Sequence, residues 1–285
     1  ESKLNLPKNS LDWYGPFDPQ SDLIWRKMQA DEITEQNYWK KKSLLIGELG
    51  DIESDIGVAI PEEYLSMVAE VGLCQTIGQI AKESGADAIL VNAPYYAVPT
   101  QSELAEHALA IDRAVNLPIM LYNYPGRTGT TMRAEFFDRV SESSNFSAIK
   151  ESTGDINQLH MLARDYPNLT LLCGMDDQAL EFFAWGARSW VCGGSNFLPK
   201  EHIALWKACA LEGNFDKGRR IMSAMMPLMR VLEQGGKFIQ CIKYGCEMNG
   251  QYAGPPRPPL KPLNKDDKRQ LEQVVRVLPP QYWNA

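Results

Sequence analysis

A chain of 285 residues with 44 % hydrophobic side chains can fill one large core, and its length suits a single barrel-sized domain with an extension. A net charge of −7 excludes nucleic acid or an anionic membrane as the main partner, and no run of about 18 apolar residues is present to span a bilayer. Residues Glu1 to Pro7 lack the apolar core of a secretory signal, and the scattered cysteines show no zinc spacing. Buried, reduced thiols in a cytoplasmic protein are the expectation.

Residues 12–18 and 22–25 are candidates for two short strands. Residues 32–46 have helical periodicity, with Lys40-Lys41-Lys42 on a solvated face. From Ile56 the pattern sharpens: 56–60 reads as a buried strand, and Pro61 can open a helix running to Ser84. Strand 86–92 follows, ending in Tyr95-Tyr96. Thr100 and Glu103 form a capping box ahead of a helix whose apolar face is Leu104, Ala108, Ile111 and Val115. Strand 118–123, helix 132–142 and strand 146–150 come next. Asp155 and Gln158 resemble a second capping pair on a helix that Pro167 ends. Strands 169–173 and 189–192 flank a helix over 177–187, with Asp177 as its expected N-cap.

Six strand–helix units in regular alternation imply a parallel sheet. Its closure into eight strands needs two more from the leading segment. After residue 197 the chain is helical, with amphipathic runs over 215–233 and 237–248. A stiff proline strap at 255–259 and a last helix at 264–277 complete it. The division expected is a barrel over 1–212, atypical in 1–60, and a helical extension over 213–285. His107, His160 and His202 fall on predicted helices, where a surface place is expected rather than metal binding. Asp176 and Asp177 form no expected metal site, since capping accounts for Asp177.

The stretch 118–153 carries the chemistry. Two apolar strands end in reactive side chains, Tyr122 on the first and Lys150 on the second. Strands of this kind bury both faces, so a terminal lysine either marks where the strand meets water or serves a purpose. As a nucleophile a lysine must be neutral, and at its ordinary pKa only about 0.04 % is neutral at pH 7. Desolvation or a neighbouring cation corrects that, and a phenol can relay the protons that imine formation requires. Arg127 adds a planar fork suited to a carboxylate. A keto acid thus has a candidate partner for each polar end.

Tyr122-Asn123-Tyr124-Pro125-Gly126-Arg127-Thr128-Gly129, followed by Ile149-Lys150-Glu151-Ser152-Thr153-Gly154-Asp155, resembles the signature of the dihydrodipicolinate synthase / N-acetylneuraminate lyase family. That resemblance covers about residues 76–285. It implies an α/β fold, a (β/α)8 TIM barrel with a C-terminal helical extension and shortened or irregular N-terminal strands. It implies a lyase in which Lys150 forms a Schiff base with pyruvate or a related 2-keto acid, with Tyr122 as general acid/base. Arg127, Tyr96, Gly193, Gly194 and Ser195 would contact substrate, Tyr96 from across a subunit boundary in a dimer or tetramer. Tyr96 also reads as a stacked interface aromatic, and Gly193-Gly194 as a plain turn. No metal or organic cofactor is implied, because the protonated imine is itself the electron sink. The chain departs from the family in one place: nothing over 11–61 matches its Gly-Thr-Thr-Gly-Glu-like loop. A keto-acid-binding barrel with little turnover is therefore the alternative expectation.

Overall fold

A computed structural model describes residues 74–94 and 97–279. The leading strands, the helix over 32–46, the strand over 56–60, the missing-loop segment and Tyr95-Tyr96 lie outside the described residues. The chain divides between Leu171 and Leu172 into two compact units.

In the unit ending at Leu171, three parallel strands pair in sequence order: β1 (Ile89–Asn92), β2 (Ile119–Asn123) and β3 (Phe146–Glu151). Each pair is joined through a helix, the connection that parallel neighbours require. The first connecting helix, Gln101–Val115, starts where the sequence places it: Thr100 and Glu103 make the expected reciprocal capping box. It stops at Asn116, whose φ of 49° is the left-handed conformation asparagine tolerates. The second, Ala134–Val140, is shorter than the 132–142 expected, and a four-residue helix, Pro125–Thr128, precedes it in what reads as loop.

The core of this unit forms where the strands meet these helices. Leu104, Ile119, Leu121, Met132, Phe136, Phe137, Ile149 and Leu159 are among its fully buried large side chains. Burying each contributes about 1.5–3 kcal/mol. Burial along β2 alternates strictly, with Ile119, Leu121 and Asn123 buried and Met120 and Tyr122 half-buried. That alternation sends the polar Asn123 into the helix-covered face and Tyr122 to the other.

In the second unit Leu172 and Cys173, the latter half of β4 (Thr170–Cys173), pair in parallel with β5 (Ser189–Trp190). The unit's helices run Pro199–Trp206, Phe215–Met229, Phe238–Met248 and Lys265–Arg276. The helix Phe215–Met229 buries Ile221, Met222, Met225, Leu228 and Met229, the face its periodicity requires, and passes into a π-helical turn at Arg230–Gln234. Asn264 and Asp267 cap the last helix reciprocally. No described helix is long and apolar enough to cross a membrane.

Several expectations need correction. Asp177 caps nothing; it lies inside a 3-10 turn, Asp176–Gln178, before a helix reduced to Ala179–Ala184. Asp155 does cap its helix, accepting from Asn157 N–H, but Gln158 does not reciprocate and instead donates to Met132 O at 2.7 Å. His107 and His202 are not on helix surfaces: each is 3 % exposed. His107 follows Leu104 by three residues and so falls on the inward stripe. Burial holds its ring neutral, with a pKa lowered to about 4.

Candidate active site

Tyr122 and Lys150 are brought side by side by strand register. The β2–β3 ladder pairs Tyr122 with Lys150 and Asn123 with Glu151. Both reactive side chains are half-buried, and Lys150 Nζ stands 4.1 Å from the centroid of the Tyr122 ring. The amine therefore meets the π face of the tyrosine. A ring face stabilises a cation by about 0.5–2 kcal/mol. Any cation on this nitrogen, an ammonium or a protonated imine, would carry the same single positive charge and meet the same ring face.

Tyr122 is steadied by Tyr124, whose ring centroid lies 5.7 Å away at 35°. After Tyr124 the chain turns sharply. Pro125 opens the short helix, the single hydrogen of Thr128 Oγ1 is shared between Tyr124 O and Thr130 O, and Gly129 closes the turn at φ 74°. The turn presents Arg127, exposed, with its guanidinium 5.6 Å over the Tyr124 ring. Against Gly129 lies Val98, a β-branched residue at φ 45°. That conformation is a strained one for valine.

Under the reactive pair runs a buried polar layer that the residue pattern did not single out. Asn123 and Glu151 are each 1 % exposed. Asn123 Nδ2 donates to Glu151 Oε2 at 2.8 Å, and Thr153 N–H donates to Oε1 at 2.6 Å. Burial pushes the Glu151 carboxyl up to about 7, against the pull of those hydrogen bonds. The signal available was position: each of the two follows a reactive residue by one, on the opposite strand face.

Gly193, Gly194 and Ser195 belong to the second unit, where they follow β5. Asp176, 1 % exposed, organises them: its carboxylate accepts from Trp190 Nε1 at 3.0 Å, Gly193 N at 3.2 Å and Gly194 N at 3.4 Å. A Cβ at Gly193 would collide with the Phe238 ring, and one at Gly194 would stand 2.5 Å from His202 Nε2. Ser195 Oγ donates to Cys192 O at 2.9 Å. Asp176 is thus a backbone tie. Among the described residues no group of three or more His, Cys, Asp or Glu could hold a metal ion. Tyr96 lies outside the described residues.

Comparison with known proteins agrees with the motif pair. The family model described as the dihydrodipicolinate synthetase family matches residues 65–278. A 4-hydroxy-tetrahydrodipicolinate synthase of Methanocaldococcus jannaschii is 35 % identical over 203 residues, covering 70 % of this chain and 68 % of the relative. That of Exiguobacterium sibiricum is 38 % identical over 199 residues, covering 70 % and 67 %. The structure of the 4-hydroxy-tetrahydrodipicolinate synthase from Methylacidiphilum fumariolicum SolV aligns with a TM-score of 0.68 at 28 % identity, over 74 % of this chain and 69 % of that one. A Ruminococcus gnavus sialic acid aldolase, 22 % identical, aligns at 0.65 over 72 % and 68 % and shows the fold alone. The chain belongs to the dihydrodipicolinate synthetase family, whose (β/α)8 fold and Schiff-base lyase chemistry it shares.

Proposed function

We propose that Lys150 is the imine-forming residue and that its substrate is pyruvate or a closely related 2-keto acid. The contact of Lys150 Nζ with the Tyr122 ring, fixed by the β2–β3 register, is the observation that carries this reading. The amine adds to the ketone carbon, the carbinolamine loses water, and the resulting iminium draws electrons from the adjacent carbon–carbon or carbon–hydrogen bond. Tyr122 supplies and recovers the protons that addition and dehydration require. Arg127 takes a carboxylate of the first or second substrate. Gly193, Gly194 and Ser195, a loop of the second unit that Asp176 holds in shape, are taken as substrate contacts on the family resemblance alone. Relatives named 4-hydroxy-tetrahydrodipicolinate synthase support a condensing reaction over a retro-aldol one.

The family resemblance favours a division into a barrel over 1–212 and a helical extension over 213–285, and the run of helices from Phe215 supports the extension. A cytoplasmic place suits cysteines that form no disulfide among the described residues, four of them buried. Assembly as a dimer or tetramer, with Tyr96 at the tighter interface, completes the reading. Sedimentation showing a folded, active monomer at micromolar concentration would exclude it.

Incubation with pyruvate and borohydride, followed by mass measurement of the Lys150 peptide, tests the mechanism. The expected result is a reduced adduct on Lys150, absent from Lys150→Arg, whose turnover falls by several orders of magnitude. An adduct without turnover of any aldehyde or keto acid would instead identify a keto-acid-binding barrel.

A further inference from the structure

The Schiff-base reading employs Tyr122 and Lys150 and leaves Asn123 and Glu151 without a part. Glu151 is a carboxyl held almost entirely out of water, which destabilises a fold unless the group is paired. Among the described residues its oxygens meet Asn123 Nδ2, Thr153 N and the Thr153 side chain, and the nearby Asp155 charge acts against its ionisation. Asn123 is as fully engaged. Its Oδ1 accepts from Met132 N at 2.9 Å, while Nδ2 serves Glu151 and, more distantly at 3.4 Å, Met132 O. Gln158 Nε2 holds Met132 O at 2.7 Å, and Ser152 N donates to Asn123 O at 2.9 Å.

Every one of these bonds lies at the level of the strand ends. Asn123 pairs with Glu151 one residue beyond the pairing of Tyr122 with Lys150, and on the opposite face of the sheet. Sliding or splaying β2 from β3 would part Tyr122 from Lys150, and it would first have to break the Asn123–Glu151 bond. We propose that Asn123 and Glu151 are a positioning pair, whose buried hydrogen bond holds the Tyr122 ring on the Lys150 amine. The inference rests on the Schiff-base reading and adds to it two residues that touch no substrate. Both Glu151 oxygens face donors, so the hydrogen bonds favour a carboxylate over glutamine even as burial opposes its charge.

Chemistry supplies its own control. In Glu151→Gln one amide N–H₂ faces an N–H donor, and in Asn123→Asp two carboxylates face one another. In the double variant, which carries Asn123→Asp together with Glu151→Gln, the bond re-forms with its polarity reversed. The amide introduced at position 151 donates to the carboxylate introduced at position 123, and its carbonyl oxygen still accepts from Thr153 N–H. The rate of borohydride trapping at saturating pyruvate is measured for wild type, both single variants and the pair, with circular dichroism as the check on folding. Each single variant is expected to trap at least tenfold more slowly, with the half-saturating pyruvate concentration changed by less than about twofold. The swapped pair is expected to return to within about tenfold of wild type. Singles that trap at the wild-type rate, or a folded swapped pair slower than that limit, overturn the proposal. Should a single variant fail to fold, the swapped pair alone decides by the same limit. If wild type yields no adduct, the Schiff-base reading is what fails. The positioning pair is then judged by acylation of Lys150 with an amine-reactive reagent: a rate altered in the singles and restored in the swap supports it, and a rate equal in all four overturns it.

Discussion

Arg127 shows how little a side chain's identity says until its surroundings are known. Its motif suggests a carboxylate partner, and the structure presents it exposed, stacked on Tyr124 in a turn that Gly129 and Thr128 hold rigid. Replacing it with lysine keeps the charge and removes the planar fork. Apparent substrate binding is then expected to weaken by about 1.5–3 kcal/mol, read as kcat/KM. An unchanged kcat/KM would assign the residue to the Tyr124 stack alone. Val98 makes a different case, since nothing in the sequence marks it. It is 61 % exposed and at φ 45°, so its side chain gains little from packing while its backbone is strained. Asparagine tolerates that conformation. Val98→Asn is expected to raise unfolding stability by about 1 kcal/mol, measurable by urea titration.

At the scale of elements, local rules placed what is local. The Thr100–Glu103 box and the amphipathic face of Phe215–Met229 both follow from neighbours in sequence. They failed where a side chain had a better partner elsewhere. Gln158 left its own helix cap for Met132 O, 26 residues away. Asp177, the expected N-cap, lies inside the 3-10 turn Asp176–Gln178 and caps no helix. Gly193 is a related instance. Its φ of −78° is open to any residue, so glycine is demanded there by Phe238 and not by backbone conformation. Gly193→Ala is expected to destabilise the second unit by ~1–3 kcal/mol through overpacking. A thermal melt unchanged from wild type would mean that Phe238 simply moves aside.

For the molecule as a whole, two buried groups in the first unit set opposing pH dependences. The Glu151 carboxyl is raised from 4.5 to about 7, so the folded state binds its proton more tightly. Its contribution is fully present below pH 4.5 and is lost as pH rises through about 7, a change on the order of 3 kcal/mol. His107 is lowered from 6.5 to about 4, so its contribution is fully present above pH 6.5 and is lost as pH falls toward 4. Between pH 4.5 and 6.5 the two oppose each other. Relative to wild type, Glu151→Gln is expected to gain stability with rising pH across that window, and His107→Phe to lose it. Parallel pH–stability curves for the two variants would contradict this assignment. The sequence by itself determined the alternation of strands and helices from Ile89 onward, the start of the helix that Thr100 caps, and the places of Tyr122 and Lys150 near the ends of successive strands. Those follow from residue spacing along one chain. It could not determine that Asn123 and Glu151, 28 residues apart, share a buried hydrogen bond, or that His107 faces inward and titrates low. Desolvation and hydrogen-bond partnership belong to a place in space, and only tertiary packing decides which distant residues occupy it.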